Sequence, residues 1–141
     1  MALVVDTGVL LGALNEEDRE HHRCHRLLMG QSEALVVPGP VLVELDYFLR
    51  KQTTRDEWTT FCEEVKEGRY LLYELDVDSL LAAARLQARY SDQPIGLVDA
   101  SVFVTCEQLE EDKVATLDHR HFGVLRTEEG GALRLLPDLA D

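Results

Sequence analysis

Asp6, Glu44, Asp99 and Asp118 are carboxylates set among apolar residues. A carboxylate that faces a core must be neutralised by a partner or hold a ligand, because an isolated buried charge is costly. In the stretch Gly96-Leu97-Val98-Asp99-Ala100-Ser101-Val102-Phe103-Val104-Thr105-Cys106, positions 99, 102, 103 and 106 share one helical face. Taken alone, Asp99 also reads as a helix-capping residue. The same pattern recurs, however. Glu44 is the polar member of the helical stripe Val41, Glu44, Leu45, Phe48, while Asp46 falls off that stripe. Asp6 directly follows the apolar run Ala2 to Val5, and Asp118 follows Lys113 to Leu117. Two like charges about 4 Å apart repel by roughly 4 kcal/mol at an effective dielectric of 20, so a cluster of them needs protons or cations. Oxygen-only donors select hard ions, Mg²⁺ or Mn²⁺, which also take phosphate oxygens. The chemistry that follows is metal-assisted hydrolysis of a phosphodiester by an activated water.

The elements that must position these groups follow from the hydrophobic pattern. Ala2 to Val5, Ala34 to Val37, Tyr70 to Leu75, Lys113 to Leu117 and Leu133 to Leu136 are short apolar runs suited to buried strands. Between them the spacing predicts helices over Val9 to Leu14, Glu16 to Met29, Val41 to Lys51 behind Pro40, from the Thr54 cap to Gly68, which ends it, from Asp78 to about Tyr90, and onward from Asp99. Thr54-Arg55-Asp56-Glu57 has a capping-box pattern, and Trp58, Phe61, Cys62 and Val65 make an inward stripe. Asp78 is expected to cap its helix with Leu80, Leu81, Ala84 and Ala88 inward. Strands alternating with helices give an α/β sandwich around a mostly parallel sheet of four or five strands. In such a sheet Asp6 and Asp118 at strand ends, and Asp99 and Glu44 in the first turns of helices, gather along one edge.

The 141 residues are expected to form one domain, 1–141, with 45% hydrophobic and 29% charged residues. The run Ala2 to Val5 stops at Asp6 without a basic lead-in, so it reads as neither a signal peptide nor a membrane span, and a cytoplasmic protein is expected. Cys24, Cys62 and Cys106 match no zinc or disulfide spacing and are expected as buried free thiols. The balance of 27 acidic against 14 basic residues, a formal net charge of -13, argues against a protein that coats nucleic acid. It suits one that gathers divalent cations or meets a basic partner. His21, His22 and His25 lie close to Cys24, but further ligands at usable spacing are missing, and an exposed face is expected there.

Val4-Val5-Asp6-Thr7, Val43-Glu44-Leu45, Gly96-Leu97-Val98-Asp99-Ala100 and Ala115-Thr116-Leu117-Asp118-His119-Arg120-His121-Phe122 resemble, in order, the four acidic motifs of PIN-domain ribonucleases. In length and order they resemble the VapC-type toxins of toxin-antitoxin pairs. The resemblance covers nearly the whole chain, although residues 50 to 95 match only in pattern. It implies a compact α/β/α fold, Mg²⁺- or Mn²⁺-dependent endonucleolytic cleavage of RNA, a homodimer, and inhibition by a cognate antitoxin. Carried over residue by residue, it assigns Asp6 and Asp99 to a first metal and Asp118 to that site or a second. Glu44 is left to orient or deprotonate the attacking water, and Thr7 and Thr116 are hydroxyls that support the ligands. Arg19, Arg23, Arg26, His119 and Arg120 are candidates for RNA phosphate contacts. An antitoxin with a basic segment fits the acidity.

Three other readings compete. Asp6-Thr7-Gly8 also occurs in aspartic proteases, but those need an almost all-β chain. A haloacid-dehalogenase-type phosphatase needs a second aspartate where Gly8 stands. A catalytically inactive PIN-fold binding or regulatory module remains the main alternative, separated from an enzyme by RNA hydrolysis.

Overall fold

The structure is a computed structural model that describes residues 1–53 and 56–138. The first half runs β1 (Ala2–Val5), α1 (Thr7–Leu14), α2 (His21–Met29), β2 (Ala34–Pro38), α3 (Gly39–Gln52) and α4 (Glu57–Lys66). The second half runs β3 (Tyr70–Tyr73), α5 (Val77–Arg89), α6 (Leu97–Gln108), β4 (Lys113–Ala115), α7 (His119–Phe122) and β5 (Arg134–Leu136). The five strands form one parallel sheet in the order β3-β2-β1-β4-β5. Leu3, Val4 and Val5 are consecutive and wholly buried, so both faces of β1 are covered. The α/β expectation is met, with a sheet that is entirely rather than mostly parallel.

Strand order creates the site. From β1 the chain steps outward to β2 and β3, then crosses back to place β4 on the other side of β1 and β5 beyond it. The order therefore reverses between β1 and β4. Connections leaving the carboxyl ends of these two strands part there and open a crevice, the position at which open parallel sheets place ligands. Leu10, Phe103 and Phe122, on the helices that follow Asp6, carry Asp99 and follow Asp118, are among the fully buried side chains of the core. Packing between α1 and α2 is close: a Cβ added to Gly12 of α1 would lie 2.8 Å from the Cys24 sulfur of α2.

Several element boundaries differ from the sequence expectation for identifiable reasons. The helix expected from Glu16 begins only at His21. Asn15 and Asp18 each accept a backbone N–H from two residues on, at 3.1 and 2.8 Å, and these local turns displace helical bonds. The strands β3 and β4 end earlier than expected, at Tyr73 and Ala115. Asp76, not Asp78, caps α5, accepting the Ser79 N–H at 2.8 Å. That earlier start goes with a rotated inward face, which is Ser79, Ala83 and Leu86. Leu80, Leu81, Ala84 and Ala88 are exposed instead, together with Val77. Thr54 and Arg55 of the expected capping box lie outside the described residues, and Asp56 caps α4 by accepting the Thr59 N–H. Because α4 lies against α3 and the outer strand β3, only a narrow stripe is covered: Phe61 is buried, Trp58 and Val65 are partly so, and Cys62 is exposed. Cys24 and Cys106 are buried free thiols as expected. Among the described residues, no helix is long and apolar enough to cross a membrane.

Candidate functional site

Asp6 is the residue at which β1 becomes α1. Its backbone N–H still bonds the Ala115 carbonyl of β4 at 2.9 Å, while its side chain caps α1. The residue is only 6% exposed. One carboxylate oxygen accepts the Thr7 N–H at 2.8 Å and the other accepts the Thr116 hydroxyl at 2.8 Å. Thr116 is itself fully buried just past β4, where its own N–H bonds the Leu136 carbonyl of β5 at 2.8 Å. Its hydroxyl also accepts the Asp118 N–H at 3.0 Å. Thr116 thus ties the aspartates at the ends of β1 and β4 together through one side chain.

Asp118 caps α7, with one carboxylate oxygen on the His121 N–H at 3.0 Å and the other 2.7 Å from His121 Nδ1. Asp99 sits in the first turn of α6, whose N-cap is Gly96, so it is not the capping residue. Ligating atoms of Asp99, Asp118 and His121 all lie within 4.8 Å of one another. Glu44 completes the acidic group from α3, half-buried in the second turn of that helix rather than the first, because α3 already begins at Gly39. Asp6, Asp99 and Asp118 all stand at helix N-termini, where the backbone dipoles favour negative charge.

The electrostatics links Asp6 and Asp99 to the other carboxylates. Burial pushes the Asp6 carboxyl up to about 6 against the lowering effect of its Thr116 and Thr7 hydrogen bonds, and Asp99 and Glu44 raise it further. Asp99 is likewise raised, first by burial, then by Asp118 and Glu44, with His121 acting in the opposite sense. Among the described residues, no lysine or arginine forms an ion pair with any of the four. Hard carboxylate donors held close without a fixed counter-cation are the donor set of a divalent ion. The Thr7 hydroxyl is buried with no hydrogen-bond partner among the described residues, an unsatisfied polar atom in the residue next to Asp6. The residues present therefore fit Mg²⁺ or Mn²⁺.

Other expected residues fall outside this cluster. Arg23 is committed to Glu20 at 2.8 Å and to the Asp138 carbonyl at 2.9 Å. Arg19, Arg26 and Arg120 are exposed, and His119 bonds the Thr116 carbonyl at 3.0 Å. Asp46 pairs with Arg50 at 2.8 Å, away from the site, as its place off the stripe predicts. His21 bonds the Gly12 carbonyl at 2.9 Å, and the histidines of α2 are not among the described residues close enough to share an ion. His121 is the residue that sequence reasoning passed over. Its spacing of three from Asp118 was the available signal, because a helical turn brings i and i+3 together.

Parallel topology with an acidic crevice at its switch point defines an α/β protein of the acidic-site class. Within that class, residues 3–126 match the sequence model of the PIN domain, and the chain belongs to the PIN-domain family. It is 30% identical over 135 residues to ribonuclease VapC26 of Mycobacterium tuberculosis, an alignment spanning 96% of this chain and all of that one. Among solved structures, VapC20 of Mycobacterium tuberculosis, a sarcin-ricin-loop-cleaving toxin, superposes with a TM-score of 0.74 at 17% identity. That match covers 79% of this chain and 86% of the other. A second, in VapBC2 of Rickettsia felis bound to a promoter DNA fragment, has a TM-score of 0.68 at 15% identity and covers 97% and 100% of the two chains.

Proposed function

We propose that this chain is a divalent-metal-dependent endoribonuclease of the VapC toxin type, hydrolysing RNA phosphodiester bonds and held in check by a cognate antitoxin. The observation that carries the reading is the convergence of Asp6, Glu44, Asp99 and Asp118 at the switch point, where no lysine or arginine among the described residues pairs with them. Identity of 30% along the full length of a ribonuclease supports the reaction class. Structural likeness to toxin-antitoxin complexes supports the partner.

In this reading Asp6 and Asp99 hold the first Mg²⁺ or Mn²⁺, and Asp118 completes that site or a second. The ion supplies a lowered pKa to water and charge stabilisation at the leaving oxygen. Thr116 holds the Asp6 carboxylate and the Asp118 backbone through one hydroxyl, and its hydrogen bond to Asp6 favours the ionised form that a ligand must have. Glu44, on the neighbouring helix, orients or deprotonates the attacking water. Attack by water leaves a 5′-phosphate and a 3′-hydroxyl, with no role for the ribose 2′-hydroxyl. His119 and Arg120, next to Asp118, are the phosphate contacts nearest the cluster in sequence, with Arg19, Arg23 and Arg26 of the α2 region further along a bound strand.

A net charge of -13 favours an antitoxin that brings a basic segment, so high salt weakens inhibition. The exposed apolar face of α5, with Val77, Leu80 and Leu81, supports a homodimer, and the protein acts in the cytoplasm. The test is incubation of the purified protein with an RNA pool. Cleavage that requires Mg²⁺ or Mn²⁺, leaves 5′-phosphates and is lost in Asp6→Asn and Asp99→Asn is the expected result. Cleavage that persists in chelator and leaves cyclic phosphates contradicts the reading.

A further inference from the structure

We infer that His121 is a direct nitrogen ligand of the ion held by Asp99 and Asp118, making this centre a mixed oxygen-nitrogen site that prefers Mn²⁺ to Mg²⁺. The inference rests on the metal-centre reading above and extends it to His121, a residue of the fourth motif given no role in that reading.

Three observations carry it. One ligating atom each from Asp99, Asp118 and His121 falls within 4.8 Å of the others, so small side-chain rotations bring all three onto one ion. The imidazole is also held: Asp118 fixes it through both the His121 backbone N–H at 3.0 Å and Nδ1 at 2.7 Å. Finally, the His121 side chain is 39% exposed and that of Asp118 36%, so an ion reaches them from solvent without opening the core. A ring that kept Nδ1–H on Asp118 would aim its Nε2 lone pair away from that carboxylate, so on ion binding Nδ1 exchanges its 2.7 Å Asp118 contact for the ion. A nitrogen is then bound directly beside the carboxylate it leaves. Imidazole is a poor partner for Mg²⁺, which favours an octahedron of oxygens, and a better one for Mn²⁺ and the later first-row ions.

The test is pulsed EPR of Mn²⁺ bound to the 141-residue chain, with histidine at natural abundance and with ¹⁵N-labelled histidine. The wild type is expected to show a directly bonded nitrogen coupling that shifts on ¹⁵N labelling. That coupling vanishes in His121→Gln and persists in His119→Gln. In parallel, Mn²⁺ affinity in His121→Gln is expected to fall about tenfold and Mg²⁺ affinity less than about threefold. Mn²⁺ binding without nitrogen coupling in the labelled wild type overturns the assignment of His121 while leaving the acidic centre intact. No specific Mn²⁺ binding by the wild type at all overturns both. The labelled wild type decides the question even if the His121 variant folds poorly.

Discussion

Replacing Asp6 by asparagine should stabilise the metal-free protein at neutral pH, although it removes a proposed ligand. Asp6 is buried among carboxylates, and its carboxyl titrates at about 6 instead of the ordinary 3.8. For a carboxyl raised on folding, the native state holds the proton more tightly than the unfolded chain. Stability from this group is therefore present below the unfolded value, is lost as pH climbs between 3.8 and about 6, and stays lost above. A shift of about two pKa units corresponds to about 3 kcal/mol. Asparagine escapes that penalty and keeps the bond from the Thr7 N–H, but it obliges the Thr116 hydroxyl to reverse its hydrogen bond, at about 1 kcal/mol. The net gain is about 2 kcal/mol, or about 6 °C in Tm for a chain of this size. The assay is thermal unfolding of wild type and Asp6→Asn in chelator at pH 7.5 and at pH 4.5. The variant should melt higher at pH 7.5 and within about 2 °C of wild type at pH 4.5, where Asp6 is already protonated. Equal destabilisation at both pH values would refute the claim that Asp6 is held as a strained anion.

Thr116→Val removes the hydroxyl that links Asp6 to Asp118 and should weaken Mn²⁺ binding about 10- to 100-fold, while Thr116→Ser largely restores it, as read by EPR titration. A native thiol titration should report one reactive cysteine, Cys62, and denaturation should release Cys24 and Cys106, whose thiols burial pushes up. Phe103→Ala, at a wholly buried position of α6 four residues after Asp99, should cost about 3–5 kcal/mol in denaturant unfolding, against less than about 1 kcal/mol for Leu80→Ala on the exposed face of α5.

The carboxylates were legible because a charge in an apolar pattern is conspicuous, and three of the four stand where a strand ends or a helix begins. The parallel strands were legible from unbroken apolar runs such as Leu3-Val4-Val5. Strand order was not, because pairing partners leave no local trace in chains this short, and it is the reversal between β1 and β4 that brings Asp6 and Asp118 together. The face of α5 was misassigned because leucines and alanines fill both of its sides. Periodicity marked one stripe, and the Asp76 cap together with Ser79 and Ala83 defines another. His121 went unassigned because its contact with Asp118 depends on the short turn of α7, whose four residues carry no periodic signal.

The central claim is that the four carboxylates assemble a divalent-metal centre, and Mn²⁺ binding to metal-stripped protein tests it most directly. Wild type is compared with Asp99→Asn and with Asp46→Asn, whose carboxylate is paired to Arg50 outside the cluster. Specific binding in the wild type that falls sharply in Asp99→Asn and is retained in Asp46→Asn is the predicted result. Binding indistinguishable among the three proteins would contradict it.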